Sequence, residues 1–498
     1  CMELNASLCY RAVLARDTRY DGRFFTCVKT TGIYCRPICP ARPPKPEHCT
    51  FVPTAAAAQA AGYRPCLRCR PESSPDLDAW RGTSATVSRA MKLLEGGALD
   101  DGDVASLADR LEIGERHLRR LFRQHVGAAP IAVAQTRRVL LAKQLIHQTD
   151  LSMIQVALAS GFGSVRRFNE TFQQLYNRPP SVLRRRTVAP SPEISLLLPY
   201  RPPYDWSSML RFFGPRAIGG LEVVTGDSYS RVIRLGDATG SFTASHAPAQ
   251  SALRVIVRFP RLEALSAIIA RIRRMFDLSA EPIAIAAALS ADPALAPLVS
   301  ARPGLRLPGG WDGFEIAVRA IVGQQITVKG ATQLATRIVS ALGDPVDENI
   351  DVPGLTHAFP QPERFDETKL LRLGMPKSRA AALANVAAAI VANPRLFDPG
   401  RDLDQAVSGL RAMPGVGEWT AQYIAMRALG ESDAFLSADV GIRRALARNG
   451  RRPTAAQVLA HAARLRPWRA YAMLHLWMAE PDNSTVSSTK EIYHALAT

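Results

Sequence analysis

At 498 residues, 47% of them hydrophobic and with mean hydropathy near zero, the chain has room for about three or four well-packed domains. Lys and Arg outnumber Asp and Glu by 62 to 44, a net charge of +18, and no apolar run reaches the roughly 18 residues of a membrane span. These numbers leave no candidate for a membrane-spanning helix and make a polyanion the first candidate partner. The charge is uneven. Residues 1–186 hold 28 Lys and Arg against 16 Asp and Glu, or +12, which leaves +6 for the other 312 residues. Nucleic acid is the sharper reading of that basic front half, and a generally soluble basic surface is the bland one.

The opening "CMELNASLCYRAVLARD" mixes polar and charged residues, unlike a secretory leader. The expectation is a cytoplasmic protein with reduced thiols, and Cys1 is set aside. All eight cysteines fall at or before Cys69. "TTGIYCRPICPA" places Cys35 and Cys39 four positions apart, and "RPCLRCRP" supplies Cys66 and Cys69 as a C-x2-C pair. Two close pairs separated by a loop have the spacing of a tetrahedral zinc site. A purely structural zinc is the plain alternative. Cys1, Cys9, Cys27 and Cys49 lack the spacing and read as ordinary small residues.

The stretch "FFTCVKTTGIYCRPICPAR…AAGYRPCLRCRPE" resembles the N-terminal methyl-acceptor domain of the Ada family, over residues 9 to 72. That resemblance implies zinc on Cys35, Cys39, Cys66 and Cys69, with Cys35 taking a methyl group from a methylated DNA phosphate. The Pro-Cys-His-Arg motif of that family's second acceptor, for the O6 position of guanine, does not occur, so that activity is expected to be absent.

Breaks at 71–84, 184–206 and, more weakly, 299–313 divide the rest. Between the first two lie two copies of one small unit. "VASLADRLEIGERHLRRLFRQHVG" is two short helices broken at Ile113-Gly114. "MIQVALASGFGSVRRFNETFQQLYNRPP" repeats the layout around Gly161-Phe162-Gly163, and "AVAQTRRVLLAKQLI" is a linking helix. Arg116, Arg119 and Arg120, then Arg166 and Arg167, fall early in each second helix, where a helix-turn-helix meets bases and phosphates. A helical hairpin with a solvated basic face is the bland reading of either copy alone. The block 85–186 resembles the AraC/XylS DNA-binding domain.

In the last block, "AMPGVGEWTAQYIAM" reads as a tight hairpin between helices. Gly415 and Gly417 allow close backbone approach, and the helix from Glu418 offers free N–H groups to a phosphate. Pro-Gly-Val-Gly alone equally fits a helix end followed by a new helix. Asp439 stands 22 residues after Gly417, in "LSADVGIRR", where alone it reads as a helix cap. Trp419 and Tyr423 share a helix face, and Trp477 follows in "RPWRAYAMLHLW"; an aromatic stripe alone reads as core.

Together these features resemble the helix-hairpin-helix DNA glycosylases, and the block from about 194 onward resembles the AlkA family of 3-methyladenine glycosylases. The resemblance implies Asp439 as the catalytic carboxylate and Trp419, Tyr423, Trp477 and Phe212 as walls of a base pocket. Gln325, in "AIVGQQITV", takes the place of the family's apolar wedge, and Ala438 stands where the family has a second aspartate. Trp419 also occupies the position of the lysine used by lyase members, so the reaction is expected to stop at an abasic site.

The expected fold is multidomain α+β. A small zinc domain (1–75) precedes an all-α double helix-turn-helix domain (85–186), a small α/β domain (194–305) and an all-α helix-hairpin-helix glycosylase domain (306–498). The expected partners are double-stranded DNA with alkylated bases or methyl phosphotriesters, promoter DNA and RNA polymerase, with no membrane. The rival expectation is a transcription factor that uses a dead glycosylase fold only to grip DNA.

Overall fold

The computed structural model describes residues 4–74, 85–100, 102–184, 193–346, 350, 352–398, 402–447 and 451–479. Its first sheet grows from a short hairpin: β1 (Phe25–Val28) pairs antiparallel with β2 (Ile33–Cys35). β3 (Cys49–Val52) flanks β1, and β4 (Arg64–Pro65) runs parallel to β2, giving the order β3-β1-β2-β4. Tyr34 lies opposite Pro65 in that register, so Cys35 and Cys66 leave neighbouring strands side by side. Cys9 and Cys27 are buried in small apolar cores, and burial pushes the Cys27 thiol up to about 12. They pack as inert small residues. Cys1 lies outside the described residues.

Six helices follow: Ala85–Glu95, Val104–Arg110, Glu115–His125, Pro130–Gln148, Met153–Ala159 and Val165–Tyr176. Polar caps start three of them. Asp103 accepts from the Ser106 N–H at 2.8 Å, Ser152 forms a capping box with Gln155, and Ser164 accepts from Arg167. The i, i+4 pairs Leu118–Phe122 and Phe168–Phe172 are fully buried and hold each unit together.

The 19-residue helix Pro130–Gln148 ties this block to the cysteine domain. Thr136 Oγ1 donates to Gln59, which in turn donates to the Tyr34 hydroxyl. Lys143 Nζ, with a side chain 0% exposed, meets Glu72 Oε2 at 2.7 Å. Breaking a buried pair strands the remaining charge at a cost of about 3–5 kcal/mol. Lys143→Met should therefore lower stability by that amount in urea denaturation, while Lys143→Met with Glu72→Leu should recover most of it.

A second, all-antiparallel sheet comprises β5 (Ile194–Pro199), β6 (Glu222–Val224), β7 (Ser228–Leu235), β8 (Ala238–Ala247) and β9 (Ala252–Arg258), in the order β5-β9-β8-β7-β6. β5 alternates buried and half-buried positions, the pattern of a strand with one face on a core. The helices Trp206–Phe213 and Leu265–Met275 cover that face through Phe213, Ile268 and Ile272. The helices Val328–Leu342, Lys377–Ala392 and Glu418–Arg427 pack against Gly313–Val322, which is apolar except for Glu315 and Arg319. Glu315 sits between Arg231 (2.6 Å) and Arg319 (2.8 Å). Burial alone would raise its carboxyl, but the two guanidiniums outweigh it and hold it down at about 2.

The stretch 299–313 is closely packed in the structure. Leu305–Gly310 are buried, and the Arg306 guanidinium donates to the carbonyls of Asp277, Ala280, Arg201 and Pro203. Gly304 has φ +81°, and a Cβ there would lie 2.5 Å from the Pro203 carbonyl carbon. The Pro and Gly content serves close packing here, and one continuous core runs through the sheet and the C-terminal helices. Among the described residues no helix is long and apolar enough to cross a membrane.

Candidate functional site

The four cysteines at the end of the first sheet come together. The Sγ atoms of Cys35, Cys39, Cys66 and Cys69 all lie within 4.8 Å of one another. A tetrahedron with Zn–S bonds of about 2.3 Å has edges of about 3.8 Å, so the quartet already has the right scale. Backbone N–H groups support it, Arg36 donating to Cys69 Sγ at 3.3 Å and Arg68 to Cys66 Sγ at 3.4 Å. The Arg36 side chain braces the loop, with Nε on Asp21 at 2.8 Å and Nη1 on Ser73 at 2.9 Å. Hydrogen bonding among the thiols, first with Cys39, pushes Cys35 far up. The bond from Cys35 is the main cause that lowers Cys39 to about 7, and it pushes Cys66 lower still. Four thiolates this close need a divalent cation between them, and an all-sulfur tetrahedral donor set suits zinc.

The second site assembles from three helices. Glu418–Arg427 begins at Gly417, directly after the hairpin, and carries Trp419 and Tyr423 one turn apart. Their rings stack with centroids 5.1 Å apart and planes at 12°. Asp439 caps the helix Val440–Ala445, its Oδ1 accepting from the Ile442 N–H at 3.1 Å. Capping is only part of what the carboxylate does. Trp477, from the helix Arg469–Ala479, donates its indole N–H to Oδ1 at 3.0 Å, and Trp419 donates to Oδ2 at 3.0 Å. Three donors from three elements thus fix a half-buried carboxylate beside an aromatic stack. Such an arrangement holds negative charge next to a flat, electron-rich surface, as cleavage of a bond that leaves a sugar cation requires.

Phe212 is 3% exposed, and Arg427 links it to this stack. Arg427 lies over its ring at 4.8 Å and Arg216 at 4.1 Å. Arg427 Nη1 also donates to the Tyr423 hydroxyl at 2.8 Å. Burial would raise Tyr423, but Arg427 and Arg216 together bring it below its ordinary value. Arg216 and Arg427 do not stand out in the sequence. The available signal is spacing: Arg427 follows Tyr423 by four positions on one helix face, and Arg216 follows Phe212 by four positions, in the short turn after its helix.

Gln325 is exposed at φ +56°, between the helices Gly313–Val322 and Val328–Leu342. A non-glycine residue in that conformation needs its surroundings to hold it. Gln324 does so, donating to Gly415 O and Thr420 Oγ1, both at 3.0 Å, while Arg379 grips the Gln324 carbonyl at 2.6 Å. The Gln325 loop and the hairpin are therefore one unit. Gly415 has φ +89°, and a Cβ there would lie 2.3 Å from Ala382 Cβ, whereas Gly417 faces open space. Gly415→Ala should distort the hairpin and weaken binding to duplex DNA of any sequence by about tenfold, measured by titration at fixed salt.

Of the helix-turn-helix arginines, Arg116, Arg120, Arg166 and Arg167 are exposed and Arg119 is half-buried. Arg119 pairs with Glu115 (Nε to Oε1, 2.7 Å) and Arg166 with Glu170 (2.8 Å), each along its own helix.

Four family profiles match in succession. They are "Metal binding domain of Ada" over residues 8–72, "Helix-turn-helix domain" over 107–186, "AlkA N-terminal domain" over 195–312, and "HhH-GPD superfamily base excision DNA repair protein" over 318–469. A Mycobacterium tuberculosis (strain CDC 1551 / Oshkosh) protein, described as "Probable bifunctional transcriptional activator/DNA repair enzyme AlkA", is 40% identical over 476 residues, 94% of this chain and 95% of its own. The chain belongs to this AlkA family of bifunctional activator and repair proteins. "DNA-3-methyladenine glycosylase 2" of Escherichia coli (strain K12) is 38% identical over 296 residues, 58% of this chain and 99% of that one. In fold, the chain is similar to a solved 3-methyladenine DNA glycosylase from Archaeoglobus fulgidus, with TM-score 0.51 and 23% identity over 59% of this chain and 99% of that one. The protein is accordingly an AlkA-type DNA repair enzyme with a zinc-binding Ada domain, and DNA is its partner.

Proposed function

We propose that this protein repairs alkylated DNA by two separate reactions and reports one of them to transcription. The observation that carries the glycosylase reading is Asp439, bonded by both indoles and a backbone N–H beside the Trp419–Tyr423 stack. An alkylated base turned out of the helix is electron-poor, and the stacked rings attract it through their faces. The Gln325 loop enters the space the base leaves, and the hairpin at Gly415 and Gly417 grips the backbone. As the bond from base to deoxyribose breaks, positive charge builds on the sugar, and Asp439 stabilises it while water attacks. Trp419 provides no amine for a Schiff base, so the product is an abasic site.

In the first domain, Cys35, Cys39, Cys66 and Cys69 would hold zinc, which would keep their sulfurs deprotonated. Cys35 attacks the methyl carbon of a DNA methyl phosphotriester. A carbon–sulfur bond forms, the carbon–oxygen bond breaks, and the phosphate leaves as an ordinary diester anion. Cys35 is consumed in the process. Loss of one negative charge from the four-thiolate site then strengthens the hold on DNA, and the arginines at 116, 119, 120, 166 and 167 contact promoter DNA, with RNA polymerase as the further partner. The test of the glycosylase reading is methylated duplex DNA incubated with the wild-type protein. Free methylated base and alkali-sensitive abasic sites should accumulate without direct strand breaks. Absence of base release would leave only DNA grip for the C-terminal half.

A further inference from the structure

The cysteine quartet rests on charges that belong to the other half of the chain. Arg36, directly after Cys35, donates its backbone N–H to Cys69 Sγ, and its Nη1 donates to the Cys69 carbonyl at 3.2 Å. The rest of that guanidinium holds both carboxylate oxygens of Asp21, Nε meeting Oδ1 at 2.8 Å. Asp21 is 7% exposed, and its backbone carbonyl accepts at 3.4 Å from both Nε and Nη2 of Arg201, just beyond β5. Arg201 Nη1 pairs with Glu281 Oε1, and Glu281 Oε2 accepts from Arg23 Nη2 at 3.2 Å. Arg201 and Glu281 are themselves buried. Glu281 stands at the start of the helix Pro282–Leu289, yet its carboxylate makes no cap bond there. The turn 21–23, with Gly22 at φ +72°, is thus held between Arg36 and the pair Arg201–Glu281.

We infer that Arg201 and Glu281 are positioning residues for the cysteine quartet, so that the glycosylase half forms part of the methyl acceptor. This rests on the reading of Cys35 as the sulfur that takes the methyl group. A buried ion pair adds little net stability over an apolar contact of the same shape, and what it supplies here is one fixed geometry. That geometry passes through the turn 21–23 to Arg36. Arg36 in turn meets three of the four cysteines: it follows Cys35, its N–H meets Cys69 Sγ, and its carbonyl accepts from the Cys39 N–H at 3.1 Å. Attack on a methyl carbon needs the sulfur in line with the breaking carbon–oxygen bond, and a displacement of about 1 Å can cost about 100-fold in rate. Loss of a partner that orients metal-binding side chains typically costs about 10- to 100-fold.

The experiment uses the full chain as wild type, Arg201→Met, Arg201→Lys and Glu281→Gln. Single-turnover methyl transfer from a phosphotriester duplex is followed at full zinc occupancy over a range of DNA concentrations. Arg201→Met should slow transfer at saturating DNA about tenfold, while the DNA concentration for half-maximal rate stays unchanged. Arg201→Lys retains a cation for Glu281 and should recover part of the rate. Cobalt(II) in place of zinc gives an optical readout independent of methyl transfer, since its ligand-field bands follow the arrangement of the four sulfurs. Those bands should shift in Arg201→Met and move back in Arg201→Lys. Base release by the same variants reports that the glycosylase half has folded. A wild-type transfer rate and wild-type bands in Arg201→Met would overturn the inference and leave this junction a structural contact. If Arg201→Met does not fold, Glu281→Gln, nearly the same in shape, decides by the same two readouts. Absence of any label on the wild-type protein would instead remove the reading of Cys35, and the cobalt bands would still decide the positioning.

Discussion

Asp439→Asn should reduce release of methylated bases by at least about 100-fold while leaving the protein folded and bound to DNA. The magnitude is that of removing one fixed electrostatic group from a charge-building step, about 2.7 kcal/mol. The substitution is well controlled because asparagine is as good a helix cap as aspartate, so the helix Val440–Ala445 should keep its start. The local cost is one hydrogen bond. Asp439 presents two acceptor oxygens to Trp419 and Trp477, whereas an amide presents one oxygen and one NH2, which leaves one indole N–H facing another donor. About 1 kcal/mol of stability should be lost. Affinity for duplex DNA should hold or rise, since a negative charge has been removed from a surface facing phosphates. Unchanged base release would exclude Asp439 as the catalytic carboxylate.

Methyl-labelled phosphotriester DNA should leave one label per chain, on Cys35, and Cys35→Ser should leave none. Without zinc the sulfurs revert to ordinary thiols, which are mostly protonated at neutral pH. A thiol attacks a methyl carbon poorly, so labelling should disappear when the protein is treated with a zinc chelator. Chelation also removes the tie between β2, the turn at Cys39 and the Cys66–Cys69 segment, and it should unfold the first domain. Near-ultraviolet circular dichroism would follow that loss, and base release would report whether the glycosylase half persists. Methylation itself removes one formal charge beside the DNA backbone. An increase of about fivefold in DNA affinity is expected, from about 1 kcal/mol for one unit charge at about 4 Å in water. A label on any other cysteine would reduce the first domain to a structural zinc module.

The zinc quartet, the paired helical units and the hairpin were legible in the sequence because each depends on local spacing. C-x3-C and C-x2-C pairs bind one ion because short loops hold their sulfurs close. Helical units announce themselves by apolar residues at i and i+4, as Leu118–Phe122 and Phe168–Phe172 do. Asp439 was legible only through resemblance, since one aspartate before a short helix looks like any other cap. Tertiary structure decided what surrounds it. Trp419 and Trp477 are 58 positions apart in the chain, and only packing brings both indoles to one carboxylate. The same holds for Arg427, whose role depends on carbonyls at Pro308 and Gly309, and for Lys143, buried against Glu72 across a domain junction. The stretch at 299–313 is legible as a boundary because proline and glycine mark loops, and its close packing was not legible, because it depends on glycine letting two distant backbones approach. Local patterns thus specified which chemical groups the chain carries. Non-local contacts, which leave no fixed spacing along the chain, specified how those groups are aimed.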